Sequence, residues 1–367
     1  MRALTLTALS VGALILSGCS GSGDESSPEP GETRSSVSTL PSESPDASEP
    51  PAPSESPDQP AQTEAPEATS PPVSVLGLAE QQHRGDRLRL GAVRESTADY
   101  TSYDVTYRSR STTRRGEESL TISGVLNVPQ GKGPFPAVVL AHGYIDPAYY
   151  VRGQGMTRER GYLASRGYVA LHVDYRNHAE SDDEPLFQVR MRLGYTADVI
   201  NAVKALRNSA RVPVDDDRVA LFGRSMGGGV ILKALVAEPG LVQAAAPWAS
   251  VSSWEAQNYR QFIRPDPEDA GLRDELAARH GTPAENPRFW LQNSSRPYFE
   301  RVTEPVLMVH GRFDDTCPPP WASATQRALV RAGVDSRLEW YDDGHAFGPA
   351  FNAAMRRTVR FFDRQLA

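Results

Sequence analysis

The chain has 367 residues, with 46 acidic against 39 basic side chains and a formal charge of −7. That length suits one large domain or two ordinary ones, and that charge excludes a nucleic-acid-binding surface. The acidic excess is local, because residues 20–75 carry 11 acidic side chains against one basic, Arg34, and the remainder is close to neutral.

Met1-Arg2 leads into an apolar run, Ala3 to Leu16, and then into Ser17-Gly18-Cys19. A charged start, a short apolar core and small residues at the cut make an export signal too short to be a stable membrane span. Leu16-Ser17-Gly18-Cys19 resembles the bacterial lipoprotein signal. The resemblance implies a signal over residues 1–19, lipidation of Cys19 and anchoring to the outer face of a bacterial cell membrane. The other reading is an ordinary secretory signal with an incidental cysteine.

Residues 20–75 hold 12 of the 30 prolines and scarcely an apolar side chain. Such a segment buries too little surface to offset its ordering entropy, so a disordered, extended tether is expected, as a spacer or an accessory tail. The second cysteine, Cys317, then has no disulfide partner and is expected to be buried beneath its loop.

A folded domain is expected over residues 76–367. The stretch 75–97 is ambiguous, with a short helix leading in as one reading. Alternating runs at 101–108 and 120–128 read as an antiparallel strand pair. Ala137 to Ala141 is a continuous apolar run, the mark of a strand covered on both faces. It ends in His142-Gly143-Tyr144. A helix around 154–166, a strand over 168–173 and a long helix over about 194–208 follow. Next come the strand Val219 to Phe222 with the helix after it, and a strand over 242–248. Beyond lie a strand at 306–309, a helix around 319–332, a strand at 338–341 and a final amphipathic helix over about 349–365. Alternating strands and helices predict an α/β fold with a mostly parallel sheet covered by helices on both faces. Between Trp248 and Pro305 no strand is expected. Trp254, Tyr259, Phe262, Phe289, Trp290 and Tyr298 fall there, and a helical lid insertion at about 250–300 lining a substrate pocket is the reading, with an extra helical layer as the alternative.

Gly223-Arg224-Ser225-Met226-Gly227, between a strand and a small-residue helix, is a nucleophile elbow. The turn strains the serine backbone, and a side chain two residues to either side would strike the neighbouring strand or helix, so glycine stands at both places. A serine hydroxyl needs a base, and the base needs a carboxylate to orient it. Strand 306–309 runs into His310-Gly311-Arg312-Phe313-Asp314-Asp315, and strand 338–341 into Asp342-Asp343-Gly344-His345. The order Ser, Asp, His suits this architecture. His345 is the expected base and Asp314 the expected acid, with Asp315 capping the next turn and Asp342 and Asp343 too close in sequence to serve. The N–H groups of Met226 and Tyr144 are the expected oxyanion donors, Tyr144 through its backbone or its hydroxyl. His142 and His310 read as loop anchors. His83 and His280 read as surface residues. His172, His178 and Asp174 are too loosely spaced for a metal site. The chemistry calls for no metal or organic cofactor.

These motifs, with Asp174-Tyr175-Arg176, resemble the α/β-hydrolase superfamily over roughly residues 100–365. More narrowly, they resemble the catalytic domain of the prolyl oligopeptidase family and the dienelactone-hydrolase-like esterases. In that family the aspartate three residues after the His-Gly glycine is the catalytic acid, which implies Asp314, and Ser225 and His345 carry over likewise. The resemblance implies a serine hydrolase acting on a small acyl ester or a short peptide. The triad does not separate peptidase from carboxylesterase, and Glu180, Asp182, Asp183 and Glu184 are possible grips for a peptide amino terminus. A surface binding protein that has kept the fold and lost catalysis is the reading from another class.

Overall fold

The computed structural model describes residues 70–113 and 116–367, so Cys19, the export signal and residues 20–69 lie outside the described residues. Nine strands form one sheet in the order β1-β2-β3-β5-β4-β6-β7-β8-β9. The first three, β1 (Gln82–Ser96), β2 (Tyr100–Thr113) and β3 (Gly116–Pro129), are long and antiparallel. Strand β3 also pairs antiparallel with β5 (Val169–Val173). From β5 the sheet is parallel through β4 (Phe135–Ala141), β6 (Val214–Arg224), β7 (Ala244–Trp248), β8 (Val306–Gly311) and β9 (Ser336–Tyr341).

The continuous apolar runs are explained by two cores. Along β4, Val139 and Ala141 pack into one core with α3 (Leu193–Arg207) and α4 (Met226–Ala237), while Val138 and Leu140 pack into the other. That second core is closed by α2 (Thr157–Ala164) and by α9 (Phe351–Gln365), through Leu163, Met355 and Phe362. Helix α8 (Pro319–Arg331) joins the first core through Ala322 and Leu329. The chain leaves β4 toward β5 on one side and returns to β6 on the other. The reversal opens a crevice at the carboxyl ends of β4 and β6, where open parallel sheets take their ligands.

Two expectations change. The ambiguous stretch holds a short helix, α1 (Val75–Ala79), and then the fifteen-residue strand β1. Its inward positions include His83 and Gly85 beside Leu88, so the sequence lacks the apolar alternation that marks a strand. His83 is accordingly buried, 3.0 Å from Ser111 Oγ and 3.2 Å from Leu78 O. His280 stacks on Phe289 with ring centroids 4.0 Å apart.

The stretch between β7 and β8 has no strand. It folds as α5 (Glu255–Asn258), a π turn over Tyr259–Ile263, α6 (Ala270–His280), α7 (Pro287–Gln292) and a 3-10 turn over Arg296–Arg301. Tyr259, Leu276, Phe289, Trp290 and Phe299 sink into the first core. Its outer parts reach loops at the sheet's carboxyl edge: His280 Nε2 meets Val189 O at 2.8 Å, and Gln261 donates to Thr316 O at 3.4 Å.

One buried ion pair fixes α3 to the end of β5. Arg176 Nε and Nη2 donate to Asp198 Oδ2 and Oδ1 at 3.0 and 2.9 Å, and the Arg176 backbone N–H donates to Oδ2 at 3.0 Å. Ser109 donates to Oδ1 at 2.8 Å. Burial opposes the Arg176 charge, but Asp198, Glu118 and Glu184 outweigh it and hold the guanidinium firmly protonated. A pair this buried is costly to break from one side, because the surviving charge keeps its desolvation penalty. Asp198→Ala should lower unfolding stability by about 3–5 kcal/mol, read as a lower urea midpoint at unchanged slope. A loss under about 1 kcal/mol would contradict that role.

Candidate active site

Ser225 stands between β6 and α4 at φ 55° and ψ −121°, a left-handed conformation that costs a non-glycine residue. Its N–H donates to Trp248 O at 2.9 Å, and its carbonyl accepts from Gly228 and Val251. The two elbow glycines are needed because backbones touch. A Cβ on Gly223 would lie 2.3 Å from Gly227 O, and one on Gly227 would lie 1.9 Å from Ala141 O. Helix α4 thus sits directly on the end of β4, and its first N–H groups, that of Met226 among them, have no intrahelical acceptor.

The loop after β4 lies against the serine. A Cβ on Gly143 would be 3.2 Å from Ser225 Cβ and 3.7 Å from Ser225 Oγ. Burial pushes His142 down to about 3, so its ring is neutral and has one N–H to give. Nδ1 is 2.6 Å from Gly143 O and Nε2 is 3.2 Å from Asp174 O, so the proton is assigned to the shorter contact. In a trans peptide the carbonyl and the next N–H point opposite ways. Holding Gly143 O against His142 therefore turns the Tyr144 N–H to the other side of that peptide. The Tyr144 ring is half exposed. Burial of its hydroxyl raises that group, which keeps it protonated.

At the other rim, Asp314 and His345 meet. His345 Nδ1 lies 3.0 and 2.9 Å from Asp314 Oδ1 and Oδ2. The Asp314 side chain is fully buried and that of His345 is 23% exposed. Asp314 also caps its own turn, Oδ1 accepting from Thr316 N at 3.0 Å and Cys317 N at 2.8 Å. The turn cap expected of Asp315 is therefore made by Asp314, and Asp315 accepts from the Thr316 hydroxyl. His310 lies beneath, with Nε2 2.9 Å from Cys317 O and 3.4 Å from Asp314 Oδ2. Two acceptors at one nitrogen place the proton there. Cys317 is buried and unpaired, and burial pushes its thiol up, out of the thiolate range. Among the described residues, no hydrogen bond joins the Ser225 hydroxyl to His345.

Several supports were not visible in the sequence. Asp343 accepts from three backbone N–H groups around the His345 loop: Oδ1 from Gly344 and Gly348, and Oδ2 from Ala350 at 2.8 Å. Burial raises its carboxyl, but these bonds outweigh it and the net shift is downward. Arg158 donates to Ala346 O and Phe347 O at 2.9 and 3.0 Å. Arg224 donates to Ala346 O at 3.4 Å and to Gly155 O at 3.0 Å. Buried Glu159 lies 3.6 Å from Arg158 and 3.4 Å from Arg224. The residue before Ser225 is thereby tied to the residue after His345. Such links join positions far apart in the chain, and no local motif announces them.

The other clusters have structural partners. His172 contacts Arg160 Nη1 at 3.0 Å and Tyr150 Oη at 3.4 Å, and Asp174 accepts from Ser123, Tyr150 and the Gly153 N–H. Of the acidic loop, Glu180 pairs with Arg152, Glu184 with Arg176 and Arg190, and Asp182 accepts from the Thr121 N–H. Those three are engaged and offer no free grip for an amine. Cavities of about 470 and 560 Å³ lie elsewhere, around Arg152 and around Leu193, and do not include Ser225.

Residues 155–367 match the prolyl oligopeptidase family model. Among curated proteins, dipeptidyl peptidase 4 of Felis catus is 30% identical over 195 residues, 52% of this chain and 24% of that protein. The chain spans about a quarter of the length of such relatives. Among solved structures, the acetyl xylan esterase of Paenibacillus sp. R4 superposes with a TM-score of 0.57 at 21% identity, covering 80% of this chain and 92% of that one. Pyrococcus horikoshii acylaminoacyl peptidase superposes at 0.53 and 20%, covering 73% of this chain and 48% of that one. With the fold, the elbow and the family match in agreement, this chain belongs to the prolyl oligopeptidase family and has the α/β-hydrolase fold.

Proposed function

We propose that the protein cleaves acyl bonds through an acyl-enzyme on Ser225. The observation that carries this reading is the contact of His345 with both Asp314 oxygens, on a loop that Arg224 ties to the elbow holding the strained Ser225. The Ser225 hydroxyl turns toward His345 Nε2, which takes its proton as Oγ adds to the substrate carbonyl. Catalytic contacts of this kind often tighten only when substrate is bound. Asp314 holds the imidazole in the Nδ1–H tautomer and stabilises the imidazolium. The N–H groups of Met226 and Tyr144 hold the oxyanion. His345 then gives its proton to the leaving group, and water repeats the sequence to release the acid. The substrate is a small ester or a short peptide.

The insertion between β7 and β8 is read as a lid. Its contacts with the Val189 and Thr316 loops support that reading. Cys19 is read as the lipidated N-terminus of an exported enzyme, on the strength of Leu16-Ser17-Gly18-Cys19, with residues 20–75 as tether. Cys19→Ser should then move the protein from the membrane fraction to the soluble exported fraction, and unchanged fractionation would contradict anchoring.

A fluorophosphonate probe should label the wild type at Ser225 and leave Ser225→Ala unlabelled. Asp314→Asn should lower kcat by about 10³–10⁴-fold. An unlabelled wild type would rule out an active serine and leave the binding-protein reading. Paired acyl-ester and aminoacyl-anilide substrates separate the two enzyme readings, faster anilide cleavage marking a peptidase.

Asp343 adds a pH test of the loop that carries the base. Its folded carboxyl titrates below its ordinary range, so its stabilisation is full above that range and lost as pH falls through the lowered value. Asp343→Asn should be less stable than wild type by a constant margin down to about pH 5, the margin closing below about pH 4. A margin that persists unchanged at about pH 3, read by urea midpoints, would contradict this.

A further inference from the structure

Arg192 stands at the mouth of this site, and among the described residues its guanidinium has no oxygen partner. It immediately precedes α3, and both it and Met191 are left-handed, at φ 53° and 56°. Two consecutive non-glycine residues in that region are held only where the surroundings dictate it. Here the Arg192 N–H donates to Phe187 O at 2.8 Å and its carbonyl accepts from Tyr195 N. The turn throws the side chain across the two residues whose N–H groups are read as oxyanion donors. The guanidinium carbon is 4.8 Å from the centroid of the Tyr144 ring, and Nη1 is 3.9 Å from Met226 Sδ.

A ring face and a thioether satisfy little of a fork of five N–H donors. Neighbouring arginines are occupied: Arg190 pairs with Glu184 at 2.6 Å, and Arg176 pairs with Asp198, Glu118 and Glu184. Among the described residues, no carboxylate lies within 4.0 Å of Arg192. Asp146, Asp266 and Asp269 act on this mouth from farther away. They leave its donors unused, and their combined charge exceeds that of one guanidinium, so a dianion is disfavoured here.

We propose that Arg192 selects acyl donors bearing one carboxylate, gripping that group while the scissile carbonyl lies at Ser225. A planar guanidinium matches a carboxylate with two parallel hydrogen bonds, and a partly buried setting strengthens them. Tyr144 and Met226 offer apolar walls for the carbon chain between the two ends. The assignment rests on the reading of Ser225, Met226 and Tyr144 given above, and it names the substrate class for that site.

The test compares the mono-4-nitrophenyl ester of adipic acid with 4-nitrophenyl hexanoate, which has the same chain length and no charge. The ratio of kcat/KM for the two esters should favour the adipate in the wild type. It should fall about tenfold in Arg192→Gln, with Arg192→Lys in between. A ratio equal in wild type and Arg192→Gln overturns the proposal. If neither ester turns over, the monoamide of adipic acid, which keeps one carboxylate, and uncharged hexanamide are set against fluorophosphonate labelling. Protection by the monoamide that is present in the wild type and lost in Arg192→Gln supports the grip, and equal protection overturns it. Labelling absent from wild-type Ser225 is a separate outcome, which overturns the underlying reading and this proposal with it.

Discussion

The close approach of α4 to the end of β4 is the constraint on which the site depends. No side chain fits between Gly227 and the Ala141 carbonyl, so the helix begins where the strand stops. The chain must turn from β6 into α4 within one residue, and Ser225 takes the left-handed conformation that results. Strain of this kind costs about 1–3 kcal/mol. It is offset by α4 itself, whose twelve residues are all buried. The same contact brings the Gly143 loop against the serine and aims the helix N-terminus at the reacting position.

The second rim is built on different physics. Asp314 is buried and locked by two backbone N–H groups of its own turn, so the carboxylate facing His345 has little freedom. The His345 loop is closed from the other side by Asp343 and by Arg158 and Arg224. Because Arg224 immediately precedes Ser225, its bond to Ala346 O ties the elbow to the histidine loop. In the proposed mechanism, preorganisation of this sort, rather than any single contact, holds the serine ready for its base.

Much of this was legible in the sequence, for identifiable reasons. Strands buried on both faces announce themselves as continuous apolar runs, and β4, β5, β6 and β8 were placed within a few residues. The elbow and the two later loops are short, local and ordered, so Ser225, Asp314 and His345 stood out, and the structure brings Asp314 to His345. Strand β1 was hidden because its inward positions carry His83 and Gly85. The turn cap was assigned to Asp315 because adjacent aspartates look alike until a fold gives one of them both jobs. Asp343, Arg158 and Arg192 had no local signal at all. Their roles arise from contacts across the sheet edge, and only coordinates carry those. The prolyl oligopeptidase family match covers residues 155–367.

The most direct measurement is a crystal structure of the enzyme inactivated by a small alkyl fluorophosphonate. The account predicts phosphorus bonded to Ser225 Oγ, one phosphoryl oxygen within hydrogen-bond reach of the Met226 and Tyr144 N–H groups, and His345 turned onto the serine oxygen with Asp314 behind it. An adduct on another residue, or one on Ser225 whose oxygen faces neither N–H group, would contradict it.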